Sequence, residues 1–173
     1  LRSLATRNPG FDSSNLLVFG LRPGTSGYTE ESLPNFYLQL EQRLAATPGV
    51  QHAALALMRP MNQEGWWEDF REVGKSKTYP TTINGVTPSY LNIFSGQLKA
   101  GRNFTMADMA PNAPKVAILS EDLAKSMSPN RSALGLRIHQ LGGPNSKIEP
   151  VEVVGIAPAI AFNSMKDRPM VVW

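Results

Sequence analysis

Apolar positions in this chain fall into short runs separated by proline and glycine. Leu16-Leu17-Val18-Phe19 is a continuous apolar run closed by Pro23-Gly24, which predicts a buried strand. Leu33, Phe36, Tyr37, Leu40 and Leu44 then recur at spacings of three and four, which puts them on one face of a helix. Thr29 or Ser32 would cap that helix; Pro34, tolerated only in a first turn, favours Ser32. Pro48-Gly49 ends it, and Ala53 to Leu57 predicts a second strand. Strand, helix and strand in this order read as a β-α-β unit with parallel strands. Ahead of it, Leu1 to Arg7 reads as the polar end of a helix begun upstream and stopped by Asn8-Pro9-Gly10.

After Pro60 the pattern changes. Met61 to Lys77 is polar and charged, with Trp66, Trp67 and Phe70 embedded in it. Thr78 to Val86 alternates weakly and predicts a strand. Pro88 to Phe94 predicts a short helix or turn, and Leu98 to Phe104 a tight turn around Gly101. Val116 to Leu119 is a buried strand, and Ser120 caps a helix running to about Met127. Leu136 to Leu141 and Pro150 to Ile156 make a hairpin across the turn Gly142-Gly143-Pro144-Asn145, and Val171 to Trp173 ends the chain as a last strand. The fold class is therefore α+β with a mixed sheet. Residues 1–15 read as the end of that upstream helix and a turn, 16–58 as the β-α-β unit, and 59–173 as a strand-rich subdomain.

Composition narrows the function classes. At 173 residues the chain is long enough for one sizeable domain or two subdomains sharing a core. Its 14 Gly and 14 Pro match the many turns read above. The net charge of +3 comes from scattered basic residues, without the clustered stripe that nucleic-acid binding requires, so no nucleic-acid partner is expected. The absence of cysteine excludes disulfides, thiolate catalysis and Cys-ligated zinc. No run approaches the ~18 apolar residues of a membrane span. The chain opens on Leu1 rather than Met, as a piece of a longer polypeptide would.

Tests for chemistry give little. Gly74-Lys75-Ser76 resembles the tail of a phosphate-binding loop, but the glycine needed five residues earlier is Asp69. His52 and His139 lie far apart and outside any metal-ligand spacing. Gly24-Thr25-Ser26-Gly27 has the wrong spacing for a nucleophile elbow and reads as a flexible loop. Glu64, Glu68, Asp69 and Glu72 read as one solvated helical face rather than an acid–base pair. No catalytic residue, cofactor or metal is expected. The adjacent rings of Trp66 and Trp67 stand out: on a strand they face opposite sides, and at least one is hard to bury. Either they contact a partner, together with Phe70, or a loop folds them back over the strands.

The motifs, taken in order, resemble the extracytoplasmic core domain of MacB-type, FtsX-like ABC transporter permeases, in particular an acidobacterial-type permease family. Asn8-Pro9-Gly10-Phe11-Asp12 stands where that family leaves its first membrane helix, Tyr28-Thr29-Glu30-Glu31 opens its first helix, and Pro48-Gly49-Val50 closes it. Val86-Thr87-Pro88-Ser89-Tyr90-Leu91 with Gly96, Gly101-Arg102-Asn103-Phe104 with Asp108, Leu134-Gly135, and Val153-Val154-Gly155-Ile156 fill its later motifs. Physically, Gly101, Gly135 and Gly155 mark positive-φ turns or close backbone approach. Arg102 either bridges to Asp108 or faces solvent.

The resemblance implies a Porter-like β-α-β half and a Sabre-like strand-rich subdomain, held outside the inner membrane on the periplasmic side. It also implies that the upstream helix is a membrane stalk and that 59–173 includes the start of a return segment. It implies partners in the protein's own transmembrane segments and the membrane, in a cytoplasmic ABC ATPase, and in a second copy or an extracytoplasmic substrate or adaptor. ATP-driven tilting of the spans would move the domain as a rigid body. The family continues past the last strand with a returning helix and strand, so the Porter-like half is expected to be incomplete in this chain. The rival readings are an extracytoplasmic module that binds a peptide or other ligand, marked by an apolar groove near Trp66 and Trp67, and a hydrolase, marked by a cleft joining a histidine to an acid and a serine.

Overall fold

The structure is a computed structural model that describes residues 12–59, 66–94, 98–110, 112–141, 149–158 and 171–172. Among the described residues seven strands run β1 Trp66–Glu72, β2 Tyr79–Ile83, β3 Ala100–Gly101, β4 Val116–Ser120, β5 Arg137–Leu141, β6 Val151–Ala157 and β7 Val171–Val172. Three α-helices among the described residues accompany them: α1 Leu33–Ala45, α2 Tyr90–Phe94 and α3 Glu121–Met127. The sheet order is β3-β6-β4-β7-β2-β1-β5, and β5 also pairs with β6. Strands β6, β4, β7, β2, β1 and β5 therefore close into a small barrel, which leaves few edges to protect. The expected mixed sheet is present: β4–β6 and β2–β7 are parallel, the other pairs antiparallel.

Strand β4 organises the core because both of its faces are covered. Side chains alternate along a strand. Ala117 and Leu119 enter one cluster with Phe70, Ile138, Val153 and, from α3, Leu123, Ala124 and Met127. Ile118 points the other way and joins Ala157 with Tyr90, Leu91 and Phe94 of α2. Each such aliphatic side chain, fully buried, contributes roughly 1.5–3 kcal/mol. Helix α3 starts where expected, with the Ser120 hydroxyl accepting from the Leu123 N–H at 3.3 Å. Glu121 and Asp122 at its start and Lys125 near its end suit the helix dipole. The hairpin β5–β6 and the strand at Val171–Val172 also form, while the turn at 142–145 lies outside the described residues, as do Leu1 to Phe11, Glu64, Gly96 and Trp173.

Three expectations need correction. The acidic run forms strand β1 rather than a helical face, because pairing with β2 and β5 places Glu68, Phe70 and Glu72 on the covered side and Trp67, Asp69 and Arg71 on the exposed side. Pro23–Ser26 forms a 3-10 turn closed by Gly27 at φ 82° rather than a flexible loop. Finally, Leu16–Phe19 and Ala53–Leu57 do not form the two strands of a β-α-β unit. Among the described residues no strand lies beside Leu17–Leu21, so that run has no ladder to join. Leu17 is 81% exposed. Ala56 makes only an isolated antiparallel bridge to Val86. Helix α1 between them does form; its predicted stripe is half-buried, and none of its residues is fully buried.

Candidate functional site

Trp66 and Trp67 begin β1 and are 53% and 56% exposed. Their rings point to opposite sides of the strand, and the Trp66 indole N–H donates to Glu68 Oε1 at 2.9 Å. Among the described residues no loop covers either ring. Phe70, expected beside them at the surface, is instead core: it shares the inward side of β1 with Glu68 and Glu72 and is 2% exposed. An open cleft of about 250 Å³ lies farther along the barrel, lined by Glu72, Lys75, Ser76, Lys77, Tyr79 and Met127. Gly74-Lys75-Ser76 is the turn after β1, with Gly74 at φ 79°.

Among the described residues, neither histidine is joined to an acid and a serine. His52 is exposed in coil, and His139 stands on β5 opposite Arg71. Among the described residues no group of three or more His, Cys, Asp or Glu is placed to hold a metal ion.

Two polar constructions stand out instead. The first locks the turn after β3. Arg102 donates to both oxygens of Asp108, at 2.8 and 2.9 Å, which settles its role as a bridge. The same carboxylate accepts from the Thr105 N–H at 2.7 Å and hydroxyl at 2.8 Å. Arg102 chiefly, helped by the Thr105 donors and opposed by burial, holds the Asp108 carboxyl well below the usual carboxylate range. Next to this turn two backbones nearly touch. Gly101 lies at φ 77°, and its Cα hydrogen faces the Val154 carbonyl, where a side chain would collide. Across the strand pair, a Cβ on Gly155 would come within 2.6 Å of the Arg102 carbonyl oxygen.

The second construction joins α1 and its flanking coil to the barrel. Residues 55–58 lie against 84–87, with Leu57 N–H donating to Gly85 O at 2.8 Å and Thr87 N–H to Leu55 O at 3.0 Å. Asn84, fully buried, extends this ladder with its side chain. Its Oδ1 accepts from the Met58 N–H and its Nδ2 donates to the Met58 carbonyl, both at 2.9 Å. The Thr87 hydroxyl accepts from the Leu55 N–H at 3.0 Å and donates to Glu41 Oε1 of α1 at 3.1 Å. Beneath lies Tyr90, whose phenol is pushed above its ordinary range by burial, with Asn84 acting the other way. Leu16, Ala54 and Met58 rest on the Tyr90–Phe94 cluster. Thr87 was visible in sequence only as part of a motif, and Asn84 and Glu41 carried no signal, because their roles depend on partners 26 and 46 residues away.

Comparison with known proteins places this architecture. The chain is 34% identical over 76 residues to the uncharacterized ABC transporter permease YknZ of Bacillus subtilis (strain 168), covering 43% of this chain and 17% of that protein. Its fold is similar to the periplasmic region of MacB from Actinobacillus actinomycetemcomitans (TM-score 0.54, 16% identity, 84% of this chain and 60% of that one). It is also similar to a domain of a putative permease protein from Porphyromonas gingivalis (TM-score 0.50, 24% identity, 78% and 48%). The chain thus spans under two thirds of each of these relatives. Residues 3–173 match the MacB-like periplasmic core domain, and the chain belongs to that family.

Proposed function

We propose that this chain is the extracytoplasmic core domain of an ABC transporter permease, coupling ATPase-driven motion of membrane helices to a substrate or adaptor outside the membrane. The observation that carries the reading is the family match over residues 3–173, since it spans barrel and arm alike. The architecture is consistent with it. A closed barrel with both faces of β4 covered is stiff, and a rigid body of this kind moves as a unit when its attachment moves. Residues 1–15 would continue the upstream stalk, 16–58 form the Porter-like arm and 59–173 the Sabre-like body. The partners would be the protein's own spans in the inner membrane, a cytoplasmic ATPase, and a substrate, adaptor or second copy. Trp66 and Trp67 would be the contact for that last partner; Phe70, being core, would support the strand beneath them.

The test uses the parent permease with its ATPase in lipid. This chain has no cysteine, so in a parent permease and ATPase cleared of any other cysteines, one introduced at exposed Ser126 on α3 reports the position of the barrel that α3 packs against. Energy transfer from a dye there to a lipid-soluble acceptor should change between ATP and ADP. Transfer that ignores the nucleotide would refute the coupling.

A further inference from the structure

We infer that Asn84, Thr87 and Glu41 form a polar tie that makes helix α1 follow the barrel, and that the Thr87 hydroxyl is its critical atom. The inference rests on the coupling reading above and names the residues through which motion would pass between the two parts. Helix α1 buries none of its residues completely, so apolar packing holds it loosely. Its polar tie to the barrel, Glu41 Oε1 to the Thr87 hydroxyl, spans 46 residues of sequence and is partly buried. The same hydroxyl accepts from Leu55 N–H, so one oxygen fastens both the helix and the coil that follows it. Asn84 holds the next residue pair by satisfying both backbone groups of Met58, as a neighbouring strand would.

The chemistry of these groups explains why they suit a tie. A hydrogen bond partly sheltered from water is more costly to leave unmade than an exposed one, because the stranded donor or acceptor has less solvent to turn to, and all four bonds of the tie are partly buried. The Leu55 N–H, Glu41 carboxylate and Met58 backbone therefore resist separation from Thr87 and Asn84 together. Apolar contacts such as Leu16 and Ala54 on the Tyr90 cluster are non-directional and tolerate sliding. Direction is what a relay needs, and the polar groups supply it.

The test is amide hydrogen exchange on the intact permease, comparing residues 33–45 and 53–58 with the barrel strands at 117–119 and 153–157. Thr87→Val keeps the β-branched shape and removes the hydroxyl. It should speed exchange in both arm segments about tenfold, the loss of roughly one hydrogen bond's worth of protection, and leave the barrel unchanged. Glu41→Ala should free α1 more than 53–58, and Glu41→Gln, which still accepts from the hydroxyl, should behave as the native chain. Exchange that rises equally in the barrel would overturn the tie and make Thr87 an ordinary core residue. An arm that ignores Thr87→Val would overturn it as well. If exchange shifts as expected while the nucleotide-dependent energy transfer from Ser126→Cys is absent even in the native background, the tie stands and the coupling reading fails.

Discussion

Three glycines separate two physical costs that are usually confounded. Gly135 lies at φ 77° with open space where a side chain would project. Gly155 has no positive φ, but a Cβ added there would lie 2.6 Å from the Arg102 carbonyl oxygen and 3.1 Å from Ile118 Cγ1. Gly101 has both problems: φ 77°, and an added Cβ that would strike the Val154 carbonyl and lie 2.7 Å from Leu134 Cδ2 and 2.9 Å from Gly155 Cα. Left-handed backbone costs an alanine about 1–2 kcal/mol. Stiffening of the unfolded chain returns about 0.4–1 kcal/mol. Gly135→Ala should therefore lose about 1 kcal/mol. Overpacking costs about 1–3 kcal/mol, so Gly155→Ala should lose about 1–2 kcal/mol. Gly101→Ala sits at the top of the range, because the Val154 carbonyl it strikes already accepts from Arg102 N–H at 2.9 Å and cannot turn away without breaking that bond. Its loss should be about 3–4 kcal/mol. In a chain of this size each kcal/mol lowers Tm by about 2–4 °C, giving roughly 3 °C for Gly135→Ala and roughly 10 °C for Gly101→Ala. Urea midpoints at constant m-value provide the measurement. If Gly101→Ala is no worse than Gly135→Ala, the close crossing of β3 and β6 does not constrain the fold, and the reasoning fails.

Other substitutions probe the remaining constructions. Asp108 is a depressed carboxylate, so its stabilisation is present above the unfolded value of about 3.9 and is lost as pH falls through the lower folded value. Asp108→Asn should cost about 1 kcal/mol, a figure kept small because Arg102 is half-exposed. The gap in urea midpoint between native and variant chains should be flat above pH 5 and narrow only below about pH 4; a gap that closes near neutrality would refute the bridge. Leu119→Ala, at a fully buried site in β4, should lose about 2–5 kcal/mol by chemical denaturation, whereas Met106→Ala, 60% exposed, should stay within about 0.5 kcal/mol. Replacing Trp66 and Trp67 together by Ser should leave Tm within a few degrees while weakening retention of the parent permease's extracytoplasmic partner; unchanged retention would remove both rings from the proposed contact.

What the sequence determined by itself was the local grammar. The spacing of Leu33, Phe36, Tyr37, Leu40 and Leu44 made α1, Ser120 capped α3, and the apolar runs at Val116 and Val151 became β4 and β6, because helix periodicity, capping and continuous apolar character are all read from neighbours a few residues apart. The glycines at 101 and 135 were likewise legible, since positive φ is a property of one residue. Tertiary structure decided everything that needed a distant partner. Leu16–Phe19 had strand composition but, among the described residues, no strand beside it, while the acidic stretch at Trp66–Glu72 had poor strand composition and became a central strand by pairing on both sides. Phe70 went to the core and the tryptophans to the surface according to which side of β1 faced the barrel and how close each lay to its end. The Asn84–Met58 and Thr87–Glu41 contacts were invisible beforehand for the same reason: a hydrogen bond is made between two positions, and only the closed chain says which two meet.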